Sequence, residues 1–461
     1  MTTITPESIA TLKASVRGEV LLPDSPGYDI ARTIWNAMID KRPAIIVRCT
    51  GVADVIAAVN FGRDQGLVIA VRGGGHNIAG NAVCNDGLMI DLSLMKWVHV
   101  NPDTQRAYAG PGATLGDLDH ETAAHGLATP TGINSTTGIA GLTLGGGFGW
   151  LSRSYGLTAD NVVAMEVITA EGKRVRASAE ENADLFWALR GGGGNFGIVT
   201  EFVYQLHKVG PNLLAGLLVF PGADAKTILA QYRDFTATAP DELTVWVVTR
   251  GAPPLPFLPA EVHGKHVIVL AFCYNGDPAQ GEKVIGPMRS FGKAHGEHIG
   301  VMPFKNWQQA FDPLLTPGAR NYWKSHNFTE LKDGFFDVVV EYAQKLPSPH
   351  CEIFIGQLGG ATVRVASDAM AYGNRDAQFV MNVHGRWETA AEDAKCIDWS
   401  RKLFNAATPF ASGSVYVNFM TEEESNRVTN AFGPNHARLA KIKTQYDPKN
   451  LFHLNQNIKP G

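Results

Sequence analysis

Three consecutive glycines and a histidine at the end of a strand constrain this chain more than any other feature. The run is Val71 to Gly80, V-R-G-G-G-H-N-I-A-G, and the residues Leu67 to Val71 ahead of it predict a β-strand. Glycine has no Cβ, so a ligand can approach the backbone closely and positive φ is open. Successive bare N–H groups in such a turn form a concave anion site. His76 closes the run and places an imidazole beside whatever phosphate-bearing ligand the loop takes.

A chain of 461 residues has room for two or three domains with ample core. Its 49 glycines gather in three runs rather than in linkers. A net charge of −4 gives no basic surface for nucleic acid or for an anionic membrane. Five cysteines, Cys49, Cys84, Cys273, Cys351 and Cys396, are scattered and odd in number, so neither a disulfide framework nor a metal site is expected. The first residues show no signal-peptide pattern and no run is apolar enough to span a membrane, so a cytoplasmic protein is expected. No pattern speaks to oligomeric state.

Periodicity predicts helices over 9–16, 28–36, 53–65, 114–125 and 182–189, with Thr114 as an N-cap. Strands are expected over 44–49, 67–71, 88–92, 97–100, 106–109 and 198–206, with a hairpin of 162–169 and 174–177. A boundary is expected near Lys208 to Asn212, where V-G-P-N breaks the pattern. Beyond it, strands over 213–220, 243–250, 266–274, 352–356, 379–387 and 414–419 alternate with helices over 225–237, 279–290, 329–346 and 388–407. That is an α+β layer, with helices on one face of an antiparallel sheet.

Gly192 to Gly197 match G-x-G-x-x-G, yet a helix precedes the run and a strand follows it. A dinucleotide loop needs the reverse order, so that reading fails. The Arg72 to Gly80 run instead resembles the pyrophosphate loop of the vanillyl-alcohol-oxidase-type flavoproteins, and above all their berberine-bridge-enzyme-like branch. The resemblance implies FAD bonded covalently through its 8α-methyl to His76, with Arg72, Gly73, Gly74, Gly75, Asn77 and Gly80 in the cofactor loop. Pro130 to Leu151 resembles the family's second flavin loop. It implies cofactor contacts from Thr131, Gly132, Gly138, Gly141, Leu142, Thr143, Gly145, Gly146, Gly147, Gly149 and Trp150, with Asn161 following at the family's spacing. Gly191 to Val199 resembles the segment near the adenine end, which adds Gly197, Ile198 and Val199. Tyr446 to Ile458 resembles the C-terminal signature and adds Asn455. Within the family, Gly18 to Asp29 is most similar to the bacterial 6-hydroxynicotine oxidases. The resemblance covers nearly the whole chain and implies an FAD-binding domain of two α/β lobes (1–208), an antiparallel-sheet substrate domain covered by helices (209–412) and a returning segment (413–461).

One position departs from the pattern. Relatives that attach FAD twice use a Cys where this chain has Asn134, so a single bond through His76 is expected. Single attachment favours a small substrate. The strand expected over Ser414 to Phe419 puts Tyr416 and Asn418 on one face and Val415, Val417 and Phe419 on the other. It resembles the family's Tyr-x-Asn-Tyr motif, which implies Tyr416 as base or hydrogen-bond donor over the flavin and Asn418 as a cofactor contact. The strand over 378–387 sets Asn382, His384 and Arg386 on one face. Asn382 stands where plant relatives carry Glu or Gln, and His384 is a substitute base. Tyr322 and Lys324 would share a face near the substrate, with Lys324 able to lower a phenol pKa. Ile139 stands at the family's oxygen gate. Together these imply an oxidase that takes hydride from a small alcohol, sugar or cyclic amine and returns it to molecular oxygen as hydrogen peroxide. The alternatives are a dehydrogenase of the same fold serving a quinone or a protein, and a non-catalytic flavin-bearing binding protein.

Overall fold

The computed structural model describes residues 4–461 and arranges them around three principal sheets. In the first, Ile45–Arg48, Leu88–Asp91 and Ile69–Arg72 run parallel, with Glu19–Leu21 antiparallel at the edge. Helix Val52–Asp64 makes the crossover that parallel strands require. Its Val55, Ala58 and Val59 are buried with Ile69 and Leu88. A Cβ on Gly62 would lie 2.7 Å from Ile69 and 2.9 Å from Leu88, so the helix sits this close only because that residue is glycine.

The second sheet is wholly antiparallel, in the order Val98–Asn101, Arg106–Ala109, Ile198–Gln205, Val162–Ile168, Arg174–Ser178. Helix Leu115–Ala123 lies nearby. Thr114 Oγ1 accepts from Asp117 N–H at 3.2 Å while Asp117 Oδ2 accepts from Thr114 N–H at 2.9 Å, a reciprocal cap.

The third sheet has seven antiparallel strands, in the order Gly296–Met302, Leu213–Pro221, His266–Tyr274, Leu243–Gly251, Glu352–Gln357, Phe379–Trp387, Arg320–Phe328. Helices Ala225–Thr236, Asp333–Ala343 and Asp393–Ala407 cover one face and share a core with Phe220, Phe272, Phe328 and Trp387. Period-two alternation sends the intervening residues, among them Trp246, Glu352, Phe354, Asn382 and His384, to the opposite face, toward the glycine loops.

Two of these strands carry no clear signal in the sequence. Gly296–Met302 is a half-exposed edge strand, and Arg320–Phe328, R-N-Y-W-K-S-H-N-F, is polar yet mostly buried. A strand buried on both faces and carrying paired polar residues shows no hydrophobic alternation. The opposite correction applies at Ser414 to Phe419, which alternates but forms no strand. Tyr416 caps a single 3₁₀ turn, Val417–Phe419, closed by Phe419 N–H to Tyr416 O at 3.0 Å. The segment has no continuous strand partner; its backbone hydrogen bonds to the sheet fall at Asn327. The turn swings Phe419 to the side of Tyr416, their ring centroids 4.9 Å apart, instead of the side of Val415 and Val417.

The last residues return to the second sheet. Val415, Val417, Phe432, Leu439 and Ile442 are buried with Leu185, Phe202 and Tyr204. A fully buried Lys443 fixes the tail. Its ammonium donates to Asn195 O at 2.7 Å, Asp447 Oδ2 at 2.6 Å and Phe452 O at 3.0 Å. Asp447 also accepts from Leu451 and Phe452 N–H, and Asn195 Oδ1 accepts from Ile458 N–H at 2.9 Å. Two stretches far apart in sequence, 191–199 and 446–458, are thereby one structural unit. Lys443→Met leaves the Asp447 carboxylate buried without its cation. The expected loss is about 3–5 kcal/mol, read by denaturant unfolding, with faster amide exchange over 447–458. Lys443→Met with Asp447→Asn should recover much of it.

Candidate cofactor and substrate site

Between the three sheets lies a cleft of two connected cavities, about 270 Å³ and about 170 Å³, which share Val71, Gly73, Asn77, Ala82, Gly141 and Asn418 in their walls. The first and second glycine runs cross at its floor. A Cβ on Gly74 would lie 2.3 Å from the Gly138 nitrogen, and one on Gly138 2.4 Å from the Gly74 nitrogen, so only glycine permits the crossing. Gly141 and Gly194 are of another kind. A Cβ on either meets no protein atom within 4 Å, and both line the cleft. These bare surfaces leave space of the kind a flat, phosphate-bearing cofactor would fill. Two side-chain oxygens in this region, Asn382 Oδ1 and Asn455 Oδ1, are buried without a partner, as are Trp323 Nε1 and His384 Nε2. Buried polar atoms left unpaired call for a ligand.

His76 sits in the larger cavity. Its ring stacks on Trp35 at 5.1 Å. Nε2 lies 3.0 Å from Thr136 Oγ1 and Nδ1 3.4 Å from Thr137 Oγ1. Burial lowers its pKa to about 4, so the imidazole is neutral at physiological pH and keeps a nucleophilic lone pair. Asn134 organises the same loop: its Oδ1 accepts from Thr136 N–H at 3.0 Å and from Thr136 Oγ1 at 2.8 Å. All five cysteines are buried, and none lines either cavity.

Gly73, Gly74, Gly75, Asn77, Gly132, Gly138, Gly141, Leu142 and Asn418 line the larger cavity with His76. Gly197, Ile198, Val199 and Asn455 line the smaller one. The remaining expected contacts stand one layer back. Arg72 pairs with Asp91 at 2.6 Å and donates to Ala31 O, bracing the strand end. Gly80 turns the chain at φ +75° against Ile39. Thr131 accepts from Gln308, Thr143 meets Tyr204 Oη at 2.8 Å, and Asn161 ties Tyr155 and Leu157 carbonyls to His207. Gly145, Gly146, Gly147 and Gly149 also leave the cavity wall to others. A Cβ on Gly145 would strike Asn418 and one on Gly149 the Thr131 carbonyl, while Gly147 N–H donates to Tyr416 Oη at 3.1 Å. Trp150 stacks on Trp246 at 4.1 Å outside the larger cavity.

Three of the four expected catalytic side chains share the larger cavity: Tyr416, Asn382 and His384. Tyr416 Oη accepts from Gly147 N–H and from Asn418 Nδ2 at 2.9 Å, which leaves its own proton to donate. Burial pushes this phenol far above its usual value, against the help of Asn418 and Gly147. Lys324 is a correction. It lies on the opposite face of its strand, ion-paired to Glu423 at 2.7 Å and near Glu424, with Tyr322 bonded to the same Glu423. The cavity-facing neighbour is Trp323, which pairs with His384 across the strands.

Glu352 went unnoticed as a site residue. It lies opposite His384 in the strand register, and His384 Nδ1–H donates to Glu352 Oε1 at 2.9 Å. Arg250 donates to Glu352 Oε2 at 2.8 Å. Burial works against the carboxylate, but Arg250, the His384 hydrogen bond and Arg386 outweigh it and hold its pKa down at about 2. A charged residue opening an otherwise apolar strand, E-I-F-I-G, was the available signal. Trp35, Trp246 and Phe354 complete an aromatic wall.

Residues 43–178 match the family model described as an FAD binding domain, and residues 415–459 the one described as berberine and berberine like. An FAD-linked oxidoreductase of Dictyostelium discoideum is 31% identical over 431 residues, 92% of this chain and 91% of the relative. The (R)-6-hydroxynicotine oxidase of Paenarthrobacter nicotinovorans is 31% identical over 468 residues, 97% of each chain. The solved structure of 6-hydroxy-D-nicotine oxidase from Arthrobacter nicotinovorans has a TM-score of 0.85 at 29% identity, covering 97% of this chain and 99% of that one. The chain belongs to the berberine-bridge-enzyme-like FAD-linked oxidoreductases and is an FAD-dependent oxidoreductase.

Gly141→Leu tests the assignment of the cleft. A Cβ there meets no protein atom within 4 Å and the position lines both cavities, so folding should survive while the leucine side chain takes up cavity space. The purified variant should keep its unfolding temperature within about 3 °C, on the order of 1 kcal/mol or less for a chain this size. It should lose most of its absorbance near 450 nm. Wild-type flavin content in this variant would exclude the assignment.

Proposed function

We propose that this chain is an oxidase of small organic alcohols or amines, with FAD attached through His76 alone and electrons passed to molecular oxygen to give hydrogen peroxide. The observation that carries the reading is the pair of imidazoles in one cavity: His76, neutral against Trp35, and His384, whose Nε2 is buried and unpartnered. The flavin supplies the two-electron acceptor for hydride leaving a substrate carbon.

His384 is the proton acceptor in this reading. Glu352 receives the Nδ1–H, fixes the tautomer with the Nε2 lone pair toward the cavity, and stabilises the imidazolium once the substrate O–H or N–H has given up its proton. Arg250 keeps Glu352 ionised. Tyr416 retains its proton and donates a hydrogen bond to the substrate heteroatom. Asn382 orients the same atom. Trp35, Trp246, Trp323, Phe354 and Phe419 offer aromatic faces and exclude water, which suits an apolar ring better than a sugar.

The oxygen reading is supported by relatives named as oxidases. It takes nothing from Ile139, which is buried in the core behind Gly138 and lines neither cavity. Residues 1–208, 209–412 and 413–461 serve as cofactor-binding domain, substrate domain and returning segment. Five buried, unpaired cysteines favour a reducing compartment, the cytoplasm.

Acid precipitation of the wild type should leave a yellow pellet, with the flavin mass on the tryptic peptide containing His76. His76→Ala should give a colourless pellet while the soluble protein still holds some FAD. A wild-type pellet without flavin sinks single histidyl attachment.

With a substrate found by peroxide release, anaerobic stopped-flow separates the acid–base roles. His384→Asn should slow flavin reduction by about 10²-fold or more, the range of general base help. Tyr416→Phe should cost roughly tenfold, on the order of 1.4 kcal/mol. The reverse ranking would return the proton-accepting role to Tyr416.

A further inference from the structure

A third hollow opens beside the larger cavity on the same sheet face, about 80 Å³ in volume. Its floor is Leu217, Val219, Val248 and Val269, adjacent on three strands by register, and Leu258 and Phe311 cover it. Ile133, Trp246, Leu315, Glu352 and Phe354 belong to both walls, so the hollow adjoins the site that holds His384. Among the described residues lining it, only Arg250 and Glu352 are charged, and they pair with each other at 2.8 Å.

We infer that this chamber binds an unbranched apolar arm, alkyl or alkenyl, carried by the ring whose polar end meets His384 and Tyr416. The chamber supplies the surface such an arm needs and almost nothing a sugar unit could hydrogen-bond. Leu217, Val248, Val269 and Phe311 are only half-buried, so apolar area remains to be covered by a ligand. Ile133, Trp246, Leu315 and Phe354 make the boundary shared by the two spaces mostly apolar, with Glu352 its one charged member, which suits a substrate with an apolar arm. The inference rests on the oxidoreductase reading only for the identity of the group at the ring end.

The test uses the flavin-loaded enzyme and four probes: 4-methyl-, 4-ethyl-, 4-n-butyl- and 4-n-hexylphenol. Binding is measured by titration calorimetry, which needs no turnover. Affinity should rise by about fourfold per methylene as far as butyl, the gain expected for burying each CH₂. Val269→Trp fills the chamber and should flatten that slope while 4-methylphenol binds within about twofold of wild type. Leu217→Glu, a smaller change in volume, should flatten it as well and serves if the tryptophan variant does not fold. A wild type that binds all four equally, or binds none, overturns the chamber, as does a slope unchanged in both variants. Turnover is scored separately. A chain-length slope without peroxide from any substrate keeps the chamber and defeats the oxidase reading; peroxide without a slope does the reverse.

Discussion

The contact between Gly74 and Gly138 is the constraint on which the site depends. Two backbones meet where any Cβ would lie within about 2.5 Å of the other chain's atoms. One belongs to the loop leaving the parallel sheet and the other to the start of helix Ile139–Leu144. Their crossing brings His76 against Thr136 and Thr137, and it sets the floor of the cleft. Everything the larger cavity offers is positioned relative to that floor. The seven-stranded sheet supplies the facing wall, and the returning C-terminal segment supplies Tyr416 and Asn418 between them. A side chain at either glycine would separate the two loops and move His76 away from its threonine partners.

The glycines of this chain divide by what they accommodate. Gly74 and Gly138 accommodate each other. Gly145 accommodates Asn418, and Gly147 presents its N–H to Tyr416. Gly141 and Gly194 face open space. The sequence distinguishes none of these cases, because a glycine run announces close approach without saying what approaches. The resemblance implies that Gly145 to Gly149 pack against the cofactor; in the structure Gly145 and Gly147 stand behind Asn418 and Tyr416, while Phe148 of the same run lines the larger cavity.

Much of the fold was legible where periodicity was strong. His266–Tyr274 and Phe379–Trp387 fall where the strands were expected, and Thr114 caps its helix as expected. Legibility failed where burial was carried by paired polar groups. Arg320–Phe328 hides Asn321, Lys324, His326 and Asn327 by hydrogen bonds and ion pairs, so neither its strand nor Trp323's outlook could be read from hydrophobicity. Lys324 was assigned to the wrong face for the same reason: its partners, Glu423 and Glu424, lie about a hundred residues away. Glu352 became a site residue only through register, since nothing in E-I-F-I-G says that His384 lies opposite. At Ser414 to Phe419 the alternation was real but local, and no neighbouring strand took it up.

The seven-stranded sheet has a consequence for how this enzyme can change. Along Glu352–Gln357 or Phe379–Trp387, odd and even positions answer to different demands: Ile353, Ile355, Met381 and Val383 hold the helices, while Phe354, Asn382 and His384 face the cleft. Adjacent codons therefore mutate under separate pressures. Substitutions on the cleft side can redraw what is recognised without disturbing the packed layer beneath, and a lineage can drift between substrates along one strand while its helical cover stays fixed.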